Sequence, residues 1–195
     1  AAATAVLISS LLEAARIALE PTIAQCLFCG LVTDTGRFQY QNADPAAFAC
    51  AARLVDAGAD PARVALEVYQ SQRLEYLHLE AVVMGRIKTV ADGRVAYSYA
   101  TGEDLAECGV GHDECDGLID AVRQVEGAEV CLFLKDGRTP GIVRGNLRSK
   151  VDLDVSVVAA RHNGGGHAAA AGFSFRGTVR EALDAVLPEL IDLVQ

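Results

Sequence analysis

The densest chemical signal in the sequence is Asn163-Gly164-Gly165-Gly166-His167. Three successive glycines let the backbone come close to a ligand and aim several amide N–H groups at one spot, and the histidine adds a side-chain donor. That combination suits an anion. A bare glycine triplet is also what a plain turn looks like, so the neighbouring residues decide. Residues 144–167 carry Arg144, Arg148, Lys150, Arg161, His162 and His167 against Asp152 and Asp154 alone, a locally basic stretch. Within it, Leu147-Arg148-Ser149-Lys150 offers a guanidinium that can hold a phosphate through two parallel hydrogen bonds and a hydroxyl that can donate a third. Arg148, Ser149, Lys150, Gly164, Gly165, Gly166 and His167 are therefore the candidate phosphate-binding residues.

A second candidate is Asp34 in Leu31-Val32-Thr33-Asp34-Thr35-Gly36, a carboxylate between two hydroxyl residues at the end of an apolar helix. Such an Asp can be a ligand for a hard metal ion, but one carboxylate cannot hold a catalytic divalent ion alone, and Asp34 serves equally as a cap for the following turn. Other reactive types carry less. Cys26-x-x-Cys29 has no second pair to complete a zinc framework and lies in an Ala- and Leu-rich helical stretch, so it reads as packing. His112, beside Asp113 and Glu114, fits an exposed loop before a helix, and His78 a surface or packing position.

The elements that must position these residues fall into two groups. The first is helical: an opening pattern of Val6, Ile8, Leu11, Leu12, Ala15 and Leu19, then two Asp-Pro starts at Asp44-Pro45 and Asp60-Pro61. Phe48, Ala51, Ala52 and Val55 form the expected inner face of the first of these helices, and Val64, Leu66 and Val68 that of the second. A further helix spans 71–85. The period then changes to two at Val95, Tyr97 and Tyr99 behind the Asp92-Gly93 turn signal, so a boundary is expected near residues 80–86. Beyond it come a Thr101/Asp104 capping box and a helix with Cys115, Leu118, Ile119 and Val122 inward. A hairpin of Val130–Leu134 and Ile142–Leu147 follows, then a short helix over 155–160 leading into the glycine loop. The last helix is capped by Thr178 and Glu181. The fold class is α/β.

With 195 residues and a net charge of −9, the chain is not built for broad, sequence-independent binding of long nucleic acid, which needs many clustered phosphate contacts. A small basic pocket is compatible with that balance. Apolar runs are broken by charge well before the roughly 18 residues of a membrane span, and residues 1–20 lack a basic leader. A cytoplasmic protein with no membrane partner is expected.

At the glycine and Asp34 sites the sequence resembles the DHH phosphoesterases of the RecJ-like superfamily that carry a C-terminal DHH-associated domain, in particular their nanoRNase and 3′,5′-bisphosphate nucleotidase (NrnA-type) branch. The hallmark Gly-Gly-Gly-His-x-x-Ala-Ala-Gly-Phe is complete at residues 164–173, Leu147-Arg148-Ser149-Lys150 matches the Arg-Ser-Lys strand, and the similarity reaches back through 30–38. The resemblance implies a catalytic domain holding two divalent ions, usually manganese, and a mixed-sheet domain that grips the nucleotide. Residues 1–80 would be the C-terminal part of the catalytic domain and 86–195 the substrate-binding domain. Asp34 would be the last metal-ligand Asp, and Arg148, Ser149, Gly165, Gly166 and His167 the clamp.

The sequence departs from the pattern in having neither Asp-His-His nor a preceding Asp-x-Asp. The resemblance then implies the C-terminal part of a longer manganese-dependent enzyme, inactive alone and holding no ion stably. Its substrates would be short 5′-phosphorylated oligoribonucleotides or adenosine 3′,5′-bisphosphate. Helices parted from their sheet would expose apolar faces and favour a homodimer. Cyclic-dinucleotide hydrolysis and a non-catalytic nucleotide-binding module remain open alternatives, as does an interaction domain with a purely structural glycine loop.

Overall fold

The computed structural model describes residues 3–195. The chain divides into two compact units, residues 1–72 and 73–195.

The first unit is helical: α1 (Thr4–Ala14), α2 (Pro21–Asp34), α3 (Pro45–Asp56) and α4 (Pro61–Tyr69). α3 and α4 start as their Asp-Pro pairs dictate. The Asp44 carboxylate accepts from Ala47 N at 2.8 Å and that of Asp60 from Arg63 N at 3.1 Å, while proline occupies the position whose N–H has no helical partner. Ala24, Phe28, Leu31, Cys50, Leu54 and Val64 form the core. The buried face of α3 differs from the expected one: Ala47, Cys50 and Leu54 are inside, and Phe48 is 54% exposed, stacked on Phe38 at 5.0 Å. Both stripes have helical spacing and differ by one residue, a rotation of about 100°. The smaller stripe lets helices approach closely. α1 also ends before Ala15 and leaves Leu11 62% exposed.

The second unit is built on a sheet. In chain order it contains α5 (Leu74–Gly85), β1 (Lys88–Val90), β2 (Val95–Ala100), α6 (Gly102–Cys108), a 3₁₀ segment (His112–Leu118) running into α7 (Ile119–Arg123), β3 (Val130–Asp136) and β4 (Ile142–Ser149). Then come α8 (Ser156–Arg161), β5 (Gly165–His167), β6 (Ala170–Arg176) and α9 (Val179–Leu193). The strand order is β1-β2-β3-β4-β6-β5, with β2 and β3 parallel and every other pair antiparallel. The molecule is thus α/β with a mixed sheet. The parallel pair needs a crossover, supplied by α6, the 3₁₀ segment and α7.

Each face of the sheet has its own core. Ala96, Ala100, Cys131 and Phe133 pack under α5–α7, and Val130, Leu132, Leu147 and Phe173 pack under α8 and α9. Leu79 and Val83 of α5 are fully buried with the first set, and Ser98 Oγ donates to Val83 O at 2.6 Å. α5 therefore belongs to the second unit, and the division at 72/73 precedes the expected 80–86. Its sequence pattern continues that of the earlier helices, so periodicity alone could not assign it. Among the described residues no helix is long and apolar enough to cross a membrane.

The glycine segment is a strand rather than a loop. β5 pairs with β6 in the register Gly165↔Gly172, Gly166↔Ala171 and His167↔Ala170. A Cβ on Gly164 would lie 2.1 Å from Gly172 O, and one on Gly166 2.6 Å from Ala170 O. Gly165 differs: a Cβ there meets nothing within 4 Å.

Candidate functional site: a basic cleft on one face of the sheet

Alternation along β4 sorts its side chains. Val143, Leu147 and Ser149 are buried with Gly145 on one face, and Arg144, Asn146 and Arg148 point to the other. Register extends these rows across the neighbouring strands. Arg144 stands opposite Lys135 and Ser174, Asn146 opposite Phe133 and Gly172, and Arg148 opposite Cys131 and Ala170. On this face the helices cover β2 and β3, and an open cleft of about 670 Å³ lies over β4 and its partners. Its floor includes Arg144, Asn146, Arg148, Gly165 and Gly172; its wall includes His112, Asp116 and Arg138.

The wall is rigidly wired. The Lys135 ammonium, on a side chain 7% exposed, donates to His112 O at 2.7 Å and Asp116 Oδ1 at 2.8 Å. Asn146 Nδ2 approaches the same carboxylate oxygen at 3.4 Å. Burial alone would raise the Asp116 carboxyl. The hydrogen bond and charge of Lys135, with Asn146 and Arg144 adding to them, outweigh burial and hold it below the usual carboxylate range. His112 Nδ1 lies 2.9 Å from Asp136 O, a geometry in which Nδ1–H donates to the carbonyl. Arg138 is paired with Asp113.

The two floor arginines are different. Arg144 Nη1 donates to Ser174 Oγ at 2.6 Å and Arg148 Nη1 to Leu147 O at 2.9 Å. Among the described residues neither forms a salt bridge with a carboxylate. Two guanidinium groups facing an open cleft and outside any salt bridge among the described residues are equipped to take up anions. A larger cavity, about 810 Å³, lies by the start of α9 and is lined by Tyr97, Tyr99, Leu183 and Leu187 among others. Chemistry favours the smaller one, because it contains the unpaired arginines.

The structure brings some expected residues together and separates others. Arg148 and Gly165 line the cleft. The register puts the exposed His167 opposite Ala170, in the row of Arg148. Gly164 and Gly166 allow β5 to lie against β6, where a side chain would strike backbone. Ser149 faces the opposite side, 5% exposed, with its hydroxyl donating to Val151 O at 2.7 Å. The Lys150 ammonium donates to Val125 O at 2.7 Å and Arg123 O at 3.2 Å, capping carbonyls at the end of α7. Neither shares the site with Arg148. Adjacent residues of a strand point to opposite faces, which sends Ser149 away from Arg148, and Lys150 lies just past the end of β4.

Asp34 ends α2 in the first unit and is exposed. The Thr33 and Thr35 hydroxyls donate to helix carbonyls, Thr35 to Leu31 O at 2.7 Å, so neither is spent orienting the Asp34 carboxylate. Among the described residues no group of three or more His, Cys, Asp or Glu is placed to hold a metal ion. Sequence reading placed Arg144 only in the general basic stretch and passed over Asn146, Lys135 and Asp116. Period-two spacing from Arg148 was the available signal for the first two; the others depend on the crossover and carried none.

The family model of the DHHA1 domain matches residues 92–195. The chain is 28% identical over 194 residues to the bifunctional oligoribonuclease and PAP phosphatase NrnA of Thermus thermophilus, covering 97% of this chain and 57% of that protein. It is 23% identical over 156 residues to the protein of the same name from Bacillus subtilis, covering 80% and 48%. Among solved structures, an exopolyphosphatase-related protein from Bacteroides fragilis superposes with a TM-score of 0.80 at 25% identity, over 89% of this chain and 50% of that one. The chain spans about half the length of the curated relatives it matches.

Proposed function

Because the chain belongs to the DHHA1 domain family, we propose that its second unit is the substrate-holding part of a phosphoesterase acting on short oligoribonucleotides and 3′,5′-bisphosphate nucleotides, with the cleft over β4 as the phosphate site. The observation that carries this reading is the pair Arg144 and Arg148, both on the cleft face and neither in a salt bridge with a carboxylate among the described residues. The names of the two NrnA relatives support the substrate class.

In this reading Arg148 holds a phosphate through charge-assisted hydrogen bonds, and His167, in the same row, adds a donor. Gly165 leaves the cleft wall without a side chain, so ligand and backbone can come close. Asp116 and Lys135 neutralise each other and stiffen the wall. These residues bind and orient; none is placed to move a proton at a reacting phosphorus. Asp34 is proposed as one ligand of a manganese centre whose other donors lie outside these 195 residues. The chain alone is expected to bind nucleotide without turning it over.

Calorimetric titration of the chain with adenosine 3′,5′-bisphosphate tests this. Binding is expected, weakened about tenfold to a hundredfold by Arg148→Ala, the usual effect of losing a hydrogen bond to a charged group. No binding, or binding indifferent to Arg148→Ala, would make the glycine hairpin a purely structural feature.

A further inference from the structure

β5 lies at the edge of the sheet beside β6 and brings no packing side chain of its own, since Gly165, Gly166 and His167 are all exposed. Its place therefore depends on backbone pairing and on how its two ends are tied. At the exit, Ala168 O accepts from Val155 N and Ala169 O from Ser149 N, each at 2.9 Å. At the entry, Gly164 N donates to Ala159 O at 2.9 Å and Ser174 N to His162 O at 3.3 Å. Between them the chain turns from α8 into β5 through Asn163 at φ +58°. Side chains secure this turn from α9. The His162 ring, on a side chain 14% exposed, lies 5.6 Å from that of Phe173 and 6.0 Å from that of Phe175, on the face that α8 and α9 cover. Its Nε2 is 2.9 Å from Glu189 Oε1, a geometry in which Nε2–H donates to the carboxylate. The other oxygen of that carboxylate accepts from Arg161 Nη1 at 3.0 Å. One side chain of α9 thus holds the last residue of α8 and the residue after it.

We propose that Glu189 is a positioning residue for the cleft on the other face of the sheet: by holding His162 and Arg161 it fixes where β5 begins, and with it the place of Gly165 and His167. This role rests on the reading of the cleft as a phosphate site, whose lining does not include Glu189. Its sign separates it from plain electrostatics. A carboxylate in the neighbourhood of an anion site repels the ligand, so removing its charge favours binding. Removing a tether that holds β5 in place disfavours it.

The test is titration of the 195-residue chain with adenosine 3′,5′-bisphosphate, at a temperature where circular dichroism shows each variant fully folded, so that lost stability alone leaves the affinity unchanged. Glu189→Ala is expected to weaken binding about threefold to tenfold. His162→Phe, which keeps a ring beside Phe173 and Phe175 and loses the Nε2 bond, should reproduce that loss from the other partner. Arg161→Ala, at a side chain 65% exposed, should cost less than about twofold. Glu189→Gln, which gives up the charge and keeps an acceptor for His162, should retain most of the affinity. Amide hydrogen exchange followed by NMR gives a readout independent of ligand. In Glu189→Ala, residues 164–167 should exchange about tenfold faster, while Leu132 and Leu147 in the central strands keep their rates. Unchanged or tighter binding by Glu189→Ala overturns the proposal, and so does weaker binding without faster exchange at 164–167. Faster exchange throughout the sheet overturns it as well, because Glu189 is then a general stabiliser. If Arg148→Ala weakens binding while Glu189→Ala does not, the phosphate cleft stands and only the positioning role falls. If the unaltered chain binds no bisphosphate, the phosphate-site reading falls and takes this role with it.

Discussion

At the scale of single residues, the glycines of the 164–166 triplet have different duties. Gly164 and Gly166 are required by backbone that lies where a Cβ would be, and Gly166 also has φ +145°. Gly165 faces open space in the cleft. Gly164→Ala should therefore cost about 1–3 kcal/mol through overpacking, visible as a lowered urea midpoint. Gly165→Ala should change stability by less than about 0.5 kcal/mol while weakening nucleotide binding, because the new methyl group enters the cleft. A Gly165→Ala variant as unstable as Gly164→Ala would assign all three glycines to packing. The triplet is conspicuous in sequence, but which glycine meets ligand and which meets β6 depends on pairing between strands. Ser149 teaches the same lesson: the motif was legible, whereas the alternation that sends Ser149 away from Arg148 applies only once the segment is known to be a strand.

At the scale of elements, local signals were legible and distant ones were not. Both capping boxes, Thr101 with Asp104 and Thr178 with Glu181, form as their spacing demands, and the β3–β4 hairpin closes over its turn-rich loop. Each depends on residues close in sequence. Parallel pairing of β2 with β3 and the insertion of β6 between β4 and β5 depend on contacts dozens of residues apart. One cap does more than begin a helix. The Asp104 carboxylate accepts from Thr101 and is gripped by both prongs of Arg86, whose guanidinium also lies 5.0 Å from the Tyr99 ring centre. It thereby ties the end of α5 to the start of α6. The Arg86 hydrogen bonds, with those from Thr101, hold the Asp104 carboxyl down at about 2 against a burial effect of opposite sign. A carboxyl whose folded value is depressed stabilises above its unfolded value near 4 and loses that contribution as pH falls toward 2. Thermal melts should show a loss of roughly 1–2 kcal/mol over that interval. In Asp104→Asn that component should be missing. A variant with the same acid profile as the unaltered chain would rule out this origin.

At the scale of the whole molecule, each unit has its own hydrophobic core, Leu31 and Leu54 among others in the first and the two sheet faces in the second. Residues 70–73, between α4 and α5, are exposed and outside any helix or strand. A protease of broad specificity at low dose should cut there first and leave a resistant product beginning near Arg73, identified by its mass. First cuts inside 86–195 would show that this unit is not the more resistant one. The unit boundary was the hardest feature to read from sequence, because α5 resembles the helices before it and only Leu79 and Val83, buried against β2 and β3, reveal its allegiance.

The sheet's two outermost strands, β1 and β5, are each three residues long. An edge strand offers unpaired amides and carbonyls to any passing chain, and long, flat, apolar edges are where sheets recruit one another into aggregates. Here one edge begins with exposed Lys88 and the other is Gly-Gly-His, a charge and a pair of glycines that give an incoming strand little to pack on. The bare backbone of this edge thus also discourages strand addition, and replacing Gly165, where a Cβ meets nothing within 4 Å, with a β-branched residue would supply the template that the native edge withholds.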